Sequence, residues 1–330
     1  MTPYGVVVIG RNEGPRLVHC LKSVIGTAAA VIYVDSGSTD NSVSAATDLG
    51  ADVVQLDPTM PFTAARARNA GFRRLIESHP RVEYVQFVDG DCEVMLGWLM
   101  AAQHELAVSS KTAVVCGRRR ERYPERSVYN RLCDMEWDTL VGEADACGGD
   151  ALIRTAAFRQ VGGYDDKLIA GEEPELCSRL RAAGWRVVRL PAEMTLHDAA
   201  MTRFGQWWRR AVRGGHAYAE VAARHGRGGL RSWRRQVRSN WFWAVVLPVV
   251  AAASMAVSPW LALGVLAGYP SLGLRIYRGR RRRGDSPANS RLYAAFTVLA
   301  KFPMALGQAR YYIGRLTSRP QRLIEYKRGE

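Results

Sequence analysis

The hydrophobic positions of the first hundred residues fall into short unbroken runs. Between the runs, apolar residues recur every three or four positions. The run 4–9 (YGVVVI) stops at Gly10, and 30–35 (AVIYVD), 52–56 and 84–88 (YVQFV) repeat the pattern. Short β-branched runs bounded by turn residues predict buried strands. The intervening segments 15–25, 40–50 and 62–77 carry the helical period. Strands alternating with helices at this spacing predict an α/β fold with a parallel, doubly wound sheet. Farther along, 147–154 and 187–190 read as strands, and 173–183 reads as an amphipathic helix closed by Gly184.

In such sheets ligands bind at the carboxyl ends of the strands. Asp35, Asp89 and Asp91 follow the second and fourth predicted strands and fall at those ends. The Arg- and Glu-rich stretch 118–146 reads as an excursion lying over the same end.

The pattern changes beyond residue 200. After Arg238 the next charged residue is Arg275, which leaves 36 uncharged positions. A membrane helix needs about 20 residues to cross ~30 Å of hydrocarbon. With Pro259 near the middle, the run reads as two short crossings, 241–257 and 260–275, joined by a tight turn. Trp241, Trp243 and Trp260 would lie at the interfaces. A buried helical hairpin in a soluble domain is the plainer alternative. A further apolar stretch, 291–316, reads either as a third crossing or as a helix lying in the interface.

Charge sharpens this division. Residues 1–200 hold 22 Lys+Arg and 27 Asp+Glu, a balance of −5; residues 201–330 hold 24 and 4, a balance of +20. A basic segment points to nucleic acid or to an anionic membrane surface. These basic residues flank apolar runs, so membrane lipids are the expected partner and nucleic acid is not. Arg278–Arg283 on the return side of the hairpin makes that side cytoplasmic by the positive-inside rule. The opening residues lack the basic start and long apolar run of a signal peptide. The six cysteines form no CxxC pair, so reduced thiols are expected and zinc is not.

Asp89-Gly90-Asp91 offers two carboxylates one residue apart directly after an apolar strand. Oxygen ligands of this kind suit Mg²⁺ or Mn²⁺, which also take oxygens from a substrate diphosphate. In Asp35-Ser-Gly-Ser-Thr-Asp40, Asp35 reads as an acceptor for a base or ribose, and Asp40 as a helix cap. Glu175 and Arg179, four apart, read as an ion pair across a helix face.

The runs VVVIGRNEGPRL, VIYVDSGSTDNS, AARARNAGF and FVDGDCE, then CGGDA, GGYDDKLIAGEEPELCSRLRAAGW and LHD, carry a resemblance. Their order and spacing resemble the family 2 glycosyltransferases of GT-A fold over residues 4–200. The resemblance implies an inverting transfer from a nucleoside-diphosphate sugar, with UDP-sugars the first expectation. It implies that Asp35, Arg68 and Asp89 contact the nucleoside, and that Asp91, beside Asp89, holds the metal beneath the diphosphate. Glu173 aligns with the usual catalytic Asp, and Glu172 beside it is the alternative base. Asp150 belongs to a segment lining the sugar and acceptor side. His197 is either a metal or phosphate ligand or a packing residue. Gln206-Trp-Trp-Arg209-Arg210 partly resembles the Gln-x-x-Arg-Trp motif of membrane-embedded polysaccharide synthases, with Arg in the last place. Arg209 is accordingly either a donor or acceptor contact or an interfacial residue.

The expected organisation is a GT-A catalytic domain at 1–200, amphipathic interfacial helices at 201–238, and a transmembrane hairpin with a basic C-terminal region at 239–330. The expected activity is metal-dependent glycosyl transfer to a lipid-linked or cell-envelope glycan, at the inner membrane with the catalytic domain cytoplasmic. A processive polysaccharide synthase and a non-catalytic membrane scaffold are the competing readings.

Overall fold

A computed structural model describes residues 3–224 and 231–317. Residues 225–230 of the expected interfacial stretch and 318–330 of the expected basic C-terminal region lie outside the described residues. The chain divides into two compact units. The first comprises Met1–Pro124 and Glu136–Ala200, the second Glu125–Met135 and Met201–Glu330.

In the first unit the predicted alternation is present. β1 (Tyr4–Gly10), β2 (Ala30–Asp35), β3 (Asp52–Gln55) and β4 (Tyr84–Asp89) pair in parallel in the order β3-β2-β1-β4. Their connections are α1 (Pro15–Val24), α2 (Ser42–Asp48) and α3 (Ala64–Ser78). The strands read as continuous apolar runs because both faces of a parallel sheet are covered by helices. Val6, Val7, Val8, Ile32, Val34, Val85, Phe87 and Val88 are all fully buried. Gly71 lets α3 lie close on this sheet: a Cβ there would collide with Val7 and come within 2.8 Å of Val34. Phe72, Phe87, Phe158 and Tyr164 complete the core as an aromatic cluster with centroids 4.6–5.5 Å apart.

The far half of the sheet departs from the parallel expectation. β8 (Ala151–Arg154) runs antiparallel to β4 and to β6 (Thr112–Glu121), and β6 runs parallel to β9 (Arg186–His197). β5 (Cys92–Val94) and the short β7 (Gly142–Glu143) both pair antiparallel with β9. The unit also holds α4 (Trp98–Val108), α6 (Thr155–Gln160) and α7 (Glu172–Ala182), while α5 (Val128–Trp137) straddles the division between units. The sheet is thus mostly parallel with an antiparallel insertion. Residues 118–121 are not part of an excursion but continue β6 straight out of the apolar run TAVVCG. The strand expected at 187–190 continues through Pro191 to His197, with the pairing slipped at Gly117–Arg119 opposite Glu193–Thr195.

The second unit is helical: α8 (Phe204–Arg224), α9 (Arg231–Trp241), a π-helical turn (Phe242–Val246), α10 (Leu247–Met255), α11 (Pro259–Leu266), α12 (Gly268–Arg282), α13 (Pro287–Leu299) and α14 (Lys301–Leu316). Ser232–Met255 is one continuous helix, and among the described residues it alone is long and apolar enough to cross a membrane. Its π turn lies just before Pro248, which has no N–H to donate and would clash with the carbonyl four residues back. The second expected crossing, 260–275, is not one helix. It breaks at Ala267 between α11 and α12, and α12 runs on into arginines. The stretch 291–316 likewise breaks at Ala300, between α13 and α14.

α8 and α14 pack with their backbones in contact. A Cβ on Gly215 would collide with the Met304 backbone, and one on Gly307 with the Val212 carbonyl. Small residues permit such approach, and nothing larger fits without separating the helices. Gly307→Val is therefore expected to cost about 1–3 kcal/mol through overpacking. Gly314→Ala on the same helix, where a Cβ meets nothing within 4 Å, should leave the thermal midpoint unchanged or raised. Melting curves of the two variants check this pair.

Candidate active site

Asp35, Asp89, Asp91 and Asp150 fall at strand ends or beside them, whereas Glu172 and Glu173 open helix α7. Asp35 closes β2 and is buried, with its oxygens occupied locally. Oδ2 accepts from the N–H groups of Gly37 (3.0 Å) and Ser38 (2.9 Å), and Oδ1 from the Tyr33 hydroxyl (3.0 Å). The turn needs Gly37 because its φ is +79° and the Phe62 ring fills the space of a Cβ. The N-cap of α2 is Asn41 and not the expected Asp40, which lies one residue earlier and accepts from the N–H of Ser42, the first residue of α2.

Asp89, at the end of β4, is held by two arginines. Arg68 Nη2 donates to Oδ1 at 2.8 Å, and Arg119 Nη2 to Oδ2 at 3.0 Å. Burial pushes the Asp89 carboxyl up, but the two guanidiniums outweigh it and hold the group below its ordinary range. Arg68 comes from α3 and is only 2% exposed. Its other branch, Nη1, reaches Glu172 Oε1 at 2.9 Å and Glu173 Oε1 at 3.3 Å. One fork therefore joins the acid after β4 to the two acids that open α7.

Glu172 and Glu173 follow Gly171, whose φ of +85° turns the chain into the helix. Glu172 is the deeper of the two. Glu173 keeps a 16% exposed side chain. Burial first, then the neighbouring Glu172, push Glu173 up to about 7, with Arg68 pulling the other way. Glu175 and Arg179 form the expected i, i+4 pair at 2.6 Å. Arg179 also donates to the carbonyls of Val161 and Gly163, which ties α7 to the loop leading into it.

Asp91 and His197 meet at the far edge of the sheet, where Cys92 of β5 pairs with His197 of β9. His197 Nε2 lies 3.2 Å from Asp91 Oδ2, and Nδ1 lies 3.2 Å from Glu121 Oε2. Glu121 also accepts from the Ala199 N–H at 3.1 Å. Burial disfavours the imidazolium, but Asp91 and Glu121 together raise the His197 pKa above its ordinary value. Asp91, Cys92 and His197 place one ligand atom each within 4.8 Å of one another.

Asp150 is fully buried just before β8. Its Oδ1 accepts from the Asp89 N–H (3.0 Å), and its Oδ2 from Arg119 Nε (2.9 Å) and the Thr195 hydroxyl (2.6 Å). Gly149 lies against this cluster: a Cβ would stand 2.6 Å from Asp89 Oδ2 and 2.8 Å from Arg68 Nη2. The first unit thus brings together Arg68, Asp89, Asp150, Glu172 and Glu173, with Asp91 and His197 as a second pair. Asp35 heads the neighbouring strand. Arg209 lies on α8 of the second unit. Sequence reasoning missed Arg119, Glu121 and Thr195. The signal for Arg119 was the apolar run 112–117 entering Arg118-Arg119-Arg120 without a turn residue other than Gly117.

The Glycosyl transferase family 2 profile matches residues 5–161. Pre-mycofactocin glycosyltransferase of Mycobacterium tuberculosis is 28% identical over 236 residues, covering 67% of this chain and 47% of that protein. The chain therefore spans about half the length of that curated relative. Succinoglycan biosynthesis protein ExoA of Rhizobium meliloti is 24% identical over 259 residues, 72% of this chain and 77% of that one. Among solved structures, the mannosyltransferase PcManGT of Pyrobaculum calidifontis, in complex with GDP-Man and Mn²⁺, superposes with a TM-score of 0.63 at 18% identity. That superposition covers 94% of this chain and 86% of the other. TarS 1–349 of S. aureus gives 0.52 at 14% identity, covering 93% and 91%. These structures show the fold. Motif order, profile and fold agree over the first unit: residues 5–161 match the Glycosyl transferase family 2 profile, and the fold is that of the GT-A structures named above.

Proposed function

We propose that this chain is an inverting, metal-dependent glycosyltransferase that moves a sugar from a nucleoside-diphosphate donor to a lipid-linked or cell-envelope glycan. The observation that carries the reading is the separation of the acids into two sets. Glu172 and Glu173 open α7 beside Arg68, while Asp91 and His197 form a distinct pair at the β5–β9 edge. Metal-dependent sugar transfer with inversion uses both: a base for the acceptor hydroxyl and a cation site for the leaving diphosphate.

The donor atoms fit a divalent cation. Asp91 supplies a carboxylate oxygen and His197 an imidazole nitrogen, and Glu121 holds the other ring nitrogen, the kind of outer partner that fixes a metal-binding tautomer. A mixed oxygen and nitrogen set suits Mn²⁺ better than Mg²⁺, and PcManGT was solved with Mn²⁺. Bound between Asp91 and His197, such a cation would screen the charge that develops on the departing nucleoside diphosphate. Asp89 contributes less directly, since both its oxygens face arginines.

Glu173 is the base in this reading. Glu172 is locked to Arg68 and is the more buried, whereas Glu173 is the more open to an incoming hydroxyl. A carboxylate raised to about 7 is a stronger base than a free one and still half ionised near neutrality. Asp35 and Arg68 stand on the nucleoside side by family resemblance. Asp35 offers its remaining lone pairs, and Arg68 acts by setting Asp89.

Attachment to the membrane is supported by the Ser232–Met255 helix and the exposed apolar side chains on α10 and α11, among them Val249, Val250, Trp260 and Leu263. The arginines of α9 and α12 lie to either side of this apolar stretch in sequence, where anionic headgroups attract them. The cytoplasmic orientation rests on the same arginines. Confining enzyme and lipid-linked acceptor to one surface raises their effective concentration.

Three outcomes are expected. Full-length protein in mild detergent, screened against UDP- and GDP-sugars with Mn²⁺, Mg²⁺ or EDTA, turns over one donor only with metal, and Asp91→Ala abolishes it. Folded protein that binds no donor would sink the transferase reading. Glu173 works only when ionised, so kcat falls as pH drops below about 7. Glu173→Gln lowers kcat by roughly 10²-fold or more with a small change in donor KM, while a full rate in that variant would shift the base to Glu172. Finally, the protein floats with vesicles of anionic lipid on a density gradient even at high salt, because the apolar helix anchors it. Recovery in the soluble fraction would refute membrane attachment.

A further inference from the structure

One row of polar groups crosses four neighbouring strands of the first unit. In sheet order it runs from Asp89 at the end of β4, through Asp150 before β8 and Arg119 on β6, to Thr195 on β9. Asp150 is the hub of the row: it accepts from the Asp89 N–H, Arg119 Nε and the Thr195 hydroxyl at 2.6–3.0 Å, and Arg119 Nη2 also reaches Asp89 at 3.0 Å. The row stops two residues short of His197 on β9. A second path leads the same way: the Arg119 guanidinium lies 5.4 Å over the Trp137 ring, whose edge meets the His197 ring at 4.6 Å.

We infer that Arg119 is a positioning residue for this site, fixing Asp89 on one side and the strand bearing His197 on the other. It rests on the glycosyltransferase reading given above. Three features single out Arg119. It touches both Asp89 and Asp150, using Nε and Nη2 as a planar fork. The slip in β6–β9 pairing brings it directly opposite Thr195, so that both reach the same Asp150 oxygen. Its neighbours behave otherwise: Arg118 pairs with Asp138, and Arg120 pairs with Glu193 on the exposed surface.

Asp150 takes a matching role. It is fully buried and accepts three bonds from the protein, so it braces Asp89 and Arg119 and does not touch the sugar or acceptor. Its carboxylate balances Arg119, while Asp89 is shared between Arg119 and Arg68. The site acids are thus set by a frame whose geometry depends on a guanidinium. A lysine keeps the charge but offers one tetrahedral point, and cannot span Asp89 and Asp150 in the same plane.

The test compares full-length wild type with Arg119→Lys. Mn²⁺ affinity is read by loss of the free-ion paramagnetic resonance signal, and turnover is read with the donor that wild type uses. At an unchanged thermal midpoint, Arg119→Lys is expected to bind Mn²⁺ and to turn over donor roughly 10–100-fold less well, the range for outer-sphere partners of a site. Added guanidinium should restore part of the rate to Arg119→Ala. Wild-type Mn²⁺ affinity and a kcat/KM within threefold of wild type in Arg119→Lys would overturn the inference. If single variants unfold, Arg119→Met/Asp150→Leu removes both buried charges together. That double variant, folded, should show the same losses, and wild-type behaviour in it would equally refute the role. Wild type that neither binds Mn²⁺ nor turns over any donor would fail the parent reading and this inference with it. That outcome is distinct from any difference between variants.

Discussion

Arg68 carries the constraint on which the site depends. A guanidinium this deeply buried stands only if its charge is matched, because an unpaired buried ion is among the most destabilising features a fold can hold. Asp89 and Glu172 match it, with Glu173 close by. These partners come from the end of a parallel strand and from the start of a helix 83 residues later. Meeting the arginine's need therefore fixes the distance between the nucleoside-side acid and the candidate base. The charges do not gain much stability over an apolar core. Their contribution is to allow one arrangement of β4, α3 and α7 and to exclude others.

The same logic sets the protonation states. Asp89 stays ionised despite burial because two guanidiniums face it, whereas Glu173 rises because it is buried and stands beside Glu172, against the pull of Arg68. Two adjacent residues at one helix start are thereby held in different environments, Glu172 the deeper and Glu173 the more exposed. On the other edge, Glu121 plays for His197 the part that Arg68 plays for Glu172. It fixes the ring so that Nε2 faces Asp91.

The second unit solves a different problem with different means. Its α8–α14 contact rests on glycines that let backbones touch, and its apolar helix leaves many large side chains exposed. That composition fits a medium other than water around part of the surface. The break at Ala267 and the π turn before Pro248 show how local chemistry shortens or bends helices that hydropathy alone would draw as straight.

Periodicity and turn chemistry in the sequence determined β1 to β4, α1 to α3 and the strand-end position of Asp35, Asp89 and Asp91, because these are local properties of short segments. Motif order pointed to Arg68, Glu173 and His197 and to the family. The tertiary structure decided the rest. Residues 118–121 read as an excursion because a run of arginines resembles a solvated surface; inside a sheet they alternate, and only Arg119 turns to the buried acids. Motif order preferred Glu173 to Glu172, and the structure adds that Glu172 is the more buried and lies closer to Arg68, which arrives from another helix. The partners of Asp150 in its glycine-rich turn are Thr195 and Arg119, which arrive from strands far away in sequence. Partners of buried charge are chosen by long-range packing, and no local pattern encodes which of many arginines will come.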